Sequence, residues 1–435
     1  MTFFDFFVNP LYRAPFIGSM LMCLSAAIIG ALMFVKRRSL LGETLSHATY
    51  PGVVFGALVG ALFLEPTSLS SVFIVLGGAF LFAYFGLEII ERLRNRLRVH
   101  LDAALCLVLS VSLGLGVVFA SRIQFTHPLW YQQSQVFIYG QAATMTDIHI
   151  VIYGVLSLIV TFFVLYRFRE IELVFFDALF GKSIGLNIHR AFRGVFFLLI
   201  LSIIVGIRSV GVVLMAGMLI APAAAARSFT DRLSYLLVLS GFFGLLSGFG
   251  GNYLSVKLSE QGLIYPTGPM ILLFAASIAL LSLIFAPKRG AVCRLLRISC
   301  FRNRCQSENI LKTLWKEGKE VSHDPEGVLK WNQMNKLRFK RILFSLKREG
   351  WIDTVSKGRI LLTPDGIKRA ERLVRLHRLW ELYLVSCLKV DEERVHHSAE
   401  EMEHILTPSL EERLSKLLNH PKKDPHQKPI PQGDF

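Results

Sequence analysis

From Phe16 to Pro287 the chain is a succession of apolar runs broken by short polar segments, and after Cys300 it turns charged and amphipathic. This change of character constrains the fold more than any other feature, because the two halves need different solvents. Runs of this length cross a hydrocarbon core of about 30 Å at about 1.5 Å per helical residue. An all-α membrane domain of about nine transmembrane helices is expected, over 16–35, 45–62, 69–90, 101–120, 148–165, 194–205, 210–226, 233–254 and 269–285, the sixth being the short one. Hydrophobic residues make up 53% of the chain, which excludes disorder for most of it and an ordinary soluble enzyme. The first run has no basic, cleavable leader before it and is expected to be a retained span. The six Cys form no paired framework, so a disulfide scaffold is not expected.

Lys and Arg number 48 against 32 Asp and Glu, a net charge of +16, and where that excess falls sets the orientation. With the N-terminus outside, the inner segments hold Lys36–Arg38, Arg92, Arg94, Arg96, Arg98, Arg167, Arg169, Lys182, Arg190, Arg193, Arg227, Arg232, Lys288 and Arg289. The outer ones hold only Arg13, Arg122, Arg208 and Lys257, a roughly fourfold bias. An odd number of spans then places everything after Pro287 in the cytoplasm, where DNA is. The expected organisation is a membrane domain over 1–287, a basic linker over 288–306, a DNA-binding domain over 307–375 and a metal-binding and dimerisation domain over 376–435.

In the membrane half, Gly42-Glu43-Thr44-Leu45-Ser46-His47 places an acid and a His four residues apart, on one helical face. Two readings are open on spacing alone: the pair binds a divalent cation, or Glu43 lies at the interface while His47 hydrogen-bonds a neighbouring helix. The inner loop Arg167–Arg193, with Phe176, Asp177 and Gly185, reads either as a docking element for a soluble partner or as an ordinary interfacial helix. Gly181-Lys182-Ser183 lacks the earlier glycine and the strand of a phosphate-binding loop, so this chain is not expected to be an enzyme and ATP hydrolysis is assigned to another subunit. The stretches GETLSHATYPG, LDAALCLVLS, ELVFFDALFGKSIGL, SVGVVLMAGMLIAPAAAAR and YPTGPMILL resemble the permease subunit of ABC-type manganese/zinc/iron importers. That resemblance implies that Glu43, in place of the family's Asp, and His47 are metal ligands in the translocation path. It also implies that Phe176, Asp177 and Gly185 dock an ABC ATPase subunit. The further partners it implies are an extracytoplasmic metal-binding protein and a second permease protomer.

In the soluble half the pattern over 307–376 is helix, helix, helix, hairpin. Asn335–Glu349 is basic and amphipathic, with Leu337, Ile342, Leu343 and Leu346 expected as its buried stripe and Gly350 as its stop. The order is that of a winged helix-turn-helix, in which Lys336, Arg338, Lys340 and Arg341 on the helix and Lys357 and Arg359 on the wing would meet phosphates of operator DNA. A basic face attracted to anionic lipid is the other reading; the wing following the helix favours DNA. Next, His377 and Glu381 are four apart, and His396, Glu400, Glu403 and His404 form one helical stripe of ligand-type side chains, or alternatively part of a solvated acidic face.

KREGWIDTVSKGRILLTPDG, AERLVRLHRLWELYL, VHHSAEEMEHIL and DPHQKPIP resemble the diphtheria-toxin-repressor family of metal-dependent repressors. The resemblance implies an ancillary metal site at His377, Glu381 and His396 and a primary one at Glu400, Glu403 and His404. Two ligand positions on the family's first helix fall here at Asn309, a weak ligand, and Lys312, which cannot ligate. A homodimer of the repressor half is implied, through apolar residues such as Leu379, Leu382, Leu384, Leu388 and Leu406. The whole chain therefore resembles a permease–repressor fusion: the permease subunit of an ATP-driven transition-metal importer joined to a metal-dependent repressor of metal uptake, with iron or manganese favoured over zinc. It is expected in a bacterial inner membrane, with cleavage in the linker as a route to a free repressor. The competing reading is a membrane-anchored sensor whose permease half no longer transports.

Overall fold

The computed structural model describes residues 5–63, 65, 69–262, 265–318, 322–331, 335–354, 359–391 and 395–431. Its contacts divide the chain into two units, Met1–Cys293 and Arg294–Phe435.

The first unit is helical throughout: α1 Asp5–Val8, α2 Pro10–Val35, α3 Ser39–Phe63, α4 Leu69–Asn95, α5 Leu101–Thr126, α6 Pro128–Tyr139, α7 Asp147–Tyr166, α8 Phe168–Phe176, α9 Ala178–Ser183, α10 Ile188–Val210, α11 Val212–Arg227, α12 Leu233–Glu260 and α13 Thr267–Phe285. Among the described residues, eight of these are long and apolar enough to cross a membrane, and α11 is a shorter apolar helix. The expected short sixth span is corrected: α10 has 23 residues, because the helix continues through the polar residues Arg190 and Arg193 at one end and Arg208 at the other. The short segment is the next one, α11, with 16 residues. Gly211 separates the two helices with a φ of 96°, and a Cβ there would fall on the carbonyl of Ile138, so only glycine fits the break. α11 is enclosed by α2, α3, α12 and α13, which lets a short helix lie at membrane depth. At the crossing of α3 and α4, Gly52 and Gly78 stand backbone to backbone.

Contacts between distant polar segments show which connections share an end of the bundle. Lys36, after α2, donates to the carbonyl of Val174 on α8 and lies over the rings of Phe175 and Phe192 at 5.1 and 5.2 Å. Arg289, after α13, pairs with Asp231 between α11 and α12. Elsewhere, Arg13 Nε donates to Asp147 Oδ1 at 2.8 Å, and the Gln141 amide donates to the Arg208 carbonyl at 3.0 Å.

The second unit contains α14 Ala291–Gly318 from Arg294 onward, α15 Pro325–Trp331, α16 Lys336–Arg348, the antiparallel pair β1 Ile352–Thr354 and β2 Ile360–Leu362, then α17 Pro364–Ser386, α18 Val395–Met402 and α19 Pro408–Leu417. The segment expected as a linker is largely helical, since α14 begins at Ala291. Asn335 caps α16, its Oδ1 accepting from the Leu337 amide, and Gly350, at φ 74°, ends it while Trp351 N–H returns to the Leu346 carbonyl. The buried face of α16 is Phe339, Ile342 and Leu346, whereas Leu337 is 75% exposed, which corrects its place in the expected stripe. These side chains join Ile310, Leu311 and Leu314 of α14, Val328 of α15 and Ile352, Ile360 and Leu362 of the hairpin in one small core. This is a winged helix. The wing tip, with Lys357, lies outside the described residues.

Candidate metal centre

Thr363 starts α17, its hydroxyl accepting from the Gly366 amide with Pro364 at the first helical position. Three turns on, α17 buries His377 and Glu381 on one face. α18 brings His396 to them. His377 Nε2 lies 3.0 Å from Glu381 Oε1 and 3.0 Å from His396 Nδ1, and His396 Nδ1 lies 2.9 Å from Glu381 Oε1. One potential ligand atom from each falls within 4.8 Å of the others. Two imidazoles and a carboxylate converging this closely suit a divalent transition metal.

The other three expected ligands are not gathered into a second set of that kind. Glu400 points to the exposed side of His396, 3.6 Å from its Nε2. Glu403 is fully buried, receiving the Lys312 ammonium on both oxygens at 2.7 and 2.9 Å and facing His377 Nδ1 at 2.6 Å. His404 lies 3.8 Å from Glu403 but has its own partners, Glu308 Oε2 at 2.7 Å and Asn309 Oδ1 at 3.1 Å. Glu308, which sequence reasoning missed, is buried and also receives Arg369 and Arg304. Only its helical position beside Asn309 and Lys312 could have drawn attention to it.

Burial works to lower the His377 pKa, but its bonds to Glu381 and Glu403 outweigh that and raise it above the ordinary imidazole value. Burial works to raise that of Glu381, yet His377 and His396 hold it down at about 2. Glu403 is likewise held low, against its burial, by His377 and Lys312. The signs differ. The His377 contribution to stability is complete below the ordinary imidazole value and is lost as pH rises through its raised one. That of Glu381 is present above the ordinary carboxylate range and is lost as pH falls toward about 2. A cation at His377 must displace its proton, so metal affinity should climb as pH rises through the raised His377 value and then level off. Metal titrations of the full chain at stepped pH test this; a flat profile would contradict it.

On α3, Glu43 and His47 are both half-buried, one turn apart, and His47 Nδ1 is buried without a hydrogen-bond partner among the described residues. In the α8–α9 segment Asp177 Oδ1 caps α9 by accepting from the Phe180 amide at 2.9 Å, Gly185 has φ 83°, and Phe176, Leu179 and Phe180 are exposed. On α16, Lys336, Lys340 and Arg341 are exposed and Arg338 donates to Asn303 at 3.0 Å; Arg359, entering β2, is exposed.

An apolar bundle with ionisable residues on an enclosed helix belongs to a transport subunit, and a winged helix fastened to histidines and carboxylates belongs to a metal-responsive regulator. The chain joins these two classes. Residues 9–286 match the ABC 3 transport family, and residues 363–432 match the iron dependent repressor, metal binding and dimerisation domain. The chain belongs to the ABC 3 transport family, and it is a metal-importer permease fused to a metal-dependent repressor. A probable metal transport system membrane protein of Chlamydia trachomatis is 35% identical over 98% of this chain and 97% of its own length. The manganese transport system membrane protein MntC of Bacillus subtilis is 29% identical over 85% of this chain and 82% of its own. PsaBC from Streptococcus pneumoniae, solved in complex with Fab, has the same fold over 68% of this chain and 97% of that one, with a TM-score of 0.56 at 24% identity.

Proposed function

We propose that the chain imports a divalent metal past Glu43 and His47 and that the same metal, once inside, activates its repressor half at His377, Glu381 and His396. The observation that carries this reading is the convergence of those three side chains, two from α17 and one from α18. A shared cation would fasten the two helices and favour the arrangement that presents α16 and the wing to operator DNA. Two imidazoles and one carboxylate with coordination positions left open is the ligand set of non-heme iron(II) sites, which supports iron, or the similarly hard manganese, as the ion taken up.

The excess of Lys and Arg on the odd-numbered connections supports a cytoplasmic position for the repressor half. The exposed apolar residues of α8 and α9 dock a separate ABC ATPase subunit, and the importer is completed by a second permease protomer and an extracytoplasmic metal-binding protein. Functionally, 1–287 is the permease, 288–306 the joint, 307–375 the DNA-binding part and 376–435 the metal-binding part, which pairs with a second copy. Release by cleavage within 288–306 would require a protease to unwind the beginning of α14.

The test is fluorescence anisotropy of a labelled fragment from upstream of the protein's own gene, with detergent-solubilised full chain and iron(II), manganese or zinc titrated in turn. DNA affinity should rise on adding iron or manganese, and equal retention in chelator would refute the switch.

A further inference from the structure

We propose that the Lys312 ammonium is a built-in cation filling the second cation position of the repressor half, so that this half takes up one metal ion rather than two. The inference rests on the assignment of the triad His377, Glu381 and His396 as the metal site.

Lys312 projects from α14 and is only 5% exposed. Its Nζ contacts both Glu403 oxygens, at 2.7 and 2.9 Å, and stands 3.3 Å from His377 Nδ1. An ammonium has three N–H donors and no lone pair, so it can only take the place of a cation, never ligate one. The remaining donor atoms around it are also engaged: His404 by Glu308 on one ring nitrogen and by Asn309 on the other. A divalent ion entering between Glu403 and His404 would meet a fixed positive charge in a buried pocket, where such repulsion is poorly screened.

The same ammonium positions the site that remains. Glu403 Oε2 is 2.6 Å from His377 Nδ1, closer than Lys312 is, so Nδ1–H donates a hydrogen bond to Glu403. Once a cation displaces the Nε2 proton, the ring would present its Nε2 lone pair toward Glu381 and His396, the carboxylate–histidine–metal arrangement that fixes a ligand's tautomer. Lys312 balances the charge of Glu403 and, since it starts from α14, ties the first helix of the winged domain to Glu403 without any metal. Metal is left to join α17 to α18 alone, and activation follows a single-site curve.

The experiment counts manganese ions bound per full-length chain in detergent, by equilibrium dialysis and elemental analysis, as differences from the wild type so that sites in the permease half cancel. Lys312→Glu should gain one ion per chain, and Lys312→Arg, which keeps the charge, should gain none. An unchanged count in a folded Lys312→Glu chain overturns the proposal. His404→Ala, which leaves Lys312 and Glu403 in place, gives a second reading if the glutamate variant does not fold: its count should equal the wild type, and loss of one ion overturns the proposal. His396→Ala should lose one ion. If His396→Ala loses none, the triad assignment fails and takes this inference with it. If His396→Ala and His404→Ala each lose one, the triad stands and only the role given to Lys312 fails.

Discussion

Replacing His396 with alanine should abolish metal-dependent DNA retention while leaving the folded repressor half intact. The side chain is 54% exposed, so its removal opens no cavity in a core, yet it is the one member of the triad that α18 supplies. Loss of an outer hydrogen-bond partner costs a metal site roughly 10–100-fold in affinity, and loss of a direct ligand should exceed that. Without His396 a cation held by His377 and Glu381 binds α17 alone and has no preference between arrangements of the two helices. A ligand with equal affinity for both states shifts neither. The expected anisotropy curve is therefore flat with added metal, at the metal-free affinity, with a melting temperature in chelator close to that of the wild type. Retained metal response in His396→Ala would remove the triad from the switch. His377→Ala makes a poorer test, because that ring also faces Glu403 and Lys312, and its loss would disturb both sides at once.

Some of this was legible in the sequence for plain physical reasons. His377 and Glu381 share a helical face because four residues make about one turn, and their burial follows from the apolar stripe around them. The winged helix could be read because a basic amphipathic helix, a glycine stop and two short β-rich runs follow in that order. What could not be read was position at long range. Glu308 meets His404 and Arg369 across 96 and 61 residues of chain, and no local period reports such a contact. That Lys312 cannot ligate follows from its ammonium, but its pairing with Glu403 does not, since charge complementarity becomes visible only when Glu403 is folded beside it. On α16 the error was one of phase. Phe339, Ile342 and Leu346 recur at three and four residues and face the core, whereas Leu337 is five before Ile342, about 140° around the helix from it. In the membrane half, hydropathy located each run but not its ends, because α10 continues past the apolar stretch into arginines and α11 is cut short by the Gly211 break.

Changing Glu43 or His47 to alanine should reduce metal uptake to background while leaving DNA retention unchanged. Both side chains lie on α3, which is packed by α4, α5, α10 and α11, and a buried ring nitrogen with no partner is costly to keep unless something takes its lone pair. A passing divalent cation would take it, with the Glu43 carboxylate one turn away supplying charge. Cells making the chain together with its ATPase would be given radioactive manganese or iron. Wild-type accumulation should be ATP-dependent, each alanine variant should fall to the level of cells lacking the ATPase, and Glu43→Asp should restore part of the uptake through a shorter arm. Full uptake in either alanine variant would take the pair out of the path. Absence of uptake by the wild type, with metal-dependent DNA binding preserved, would show that the permease fold has been kept as an anchor for a sensor, because the regulatory chemistry proposed for His377, Glu381 and His396 does not depend on the lone pair of His47.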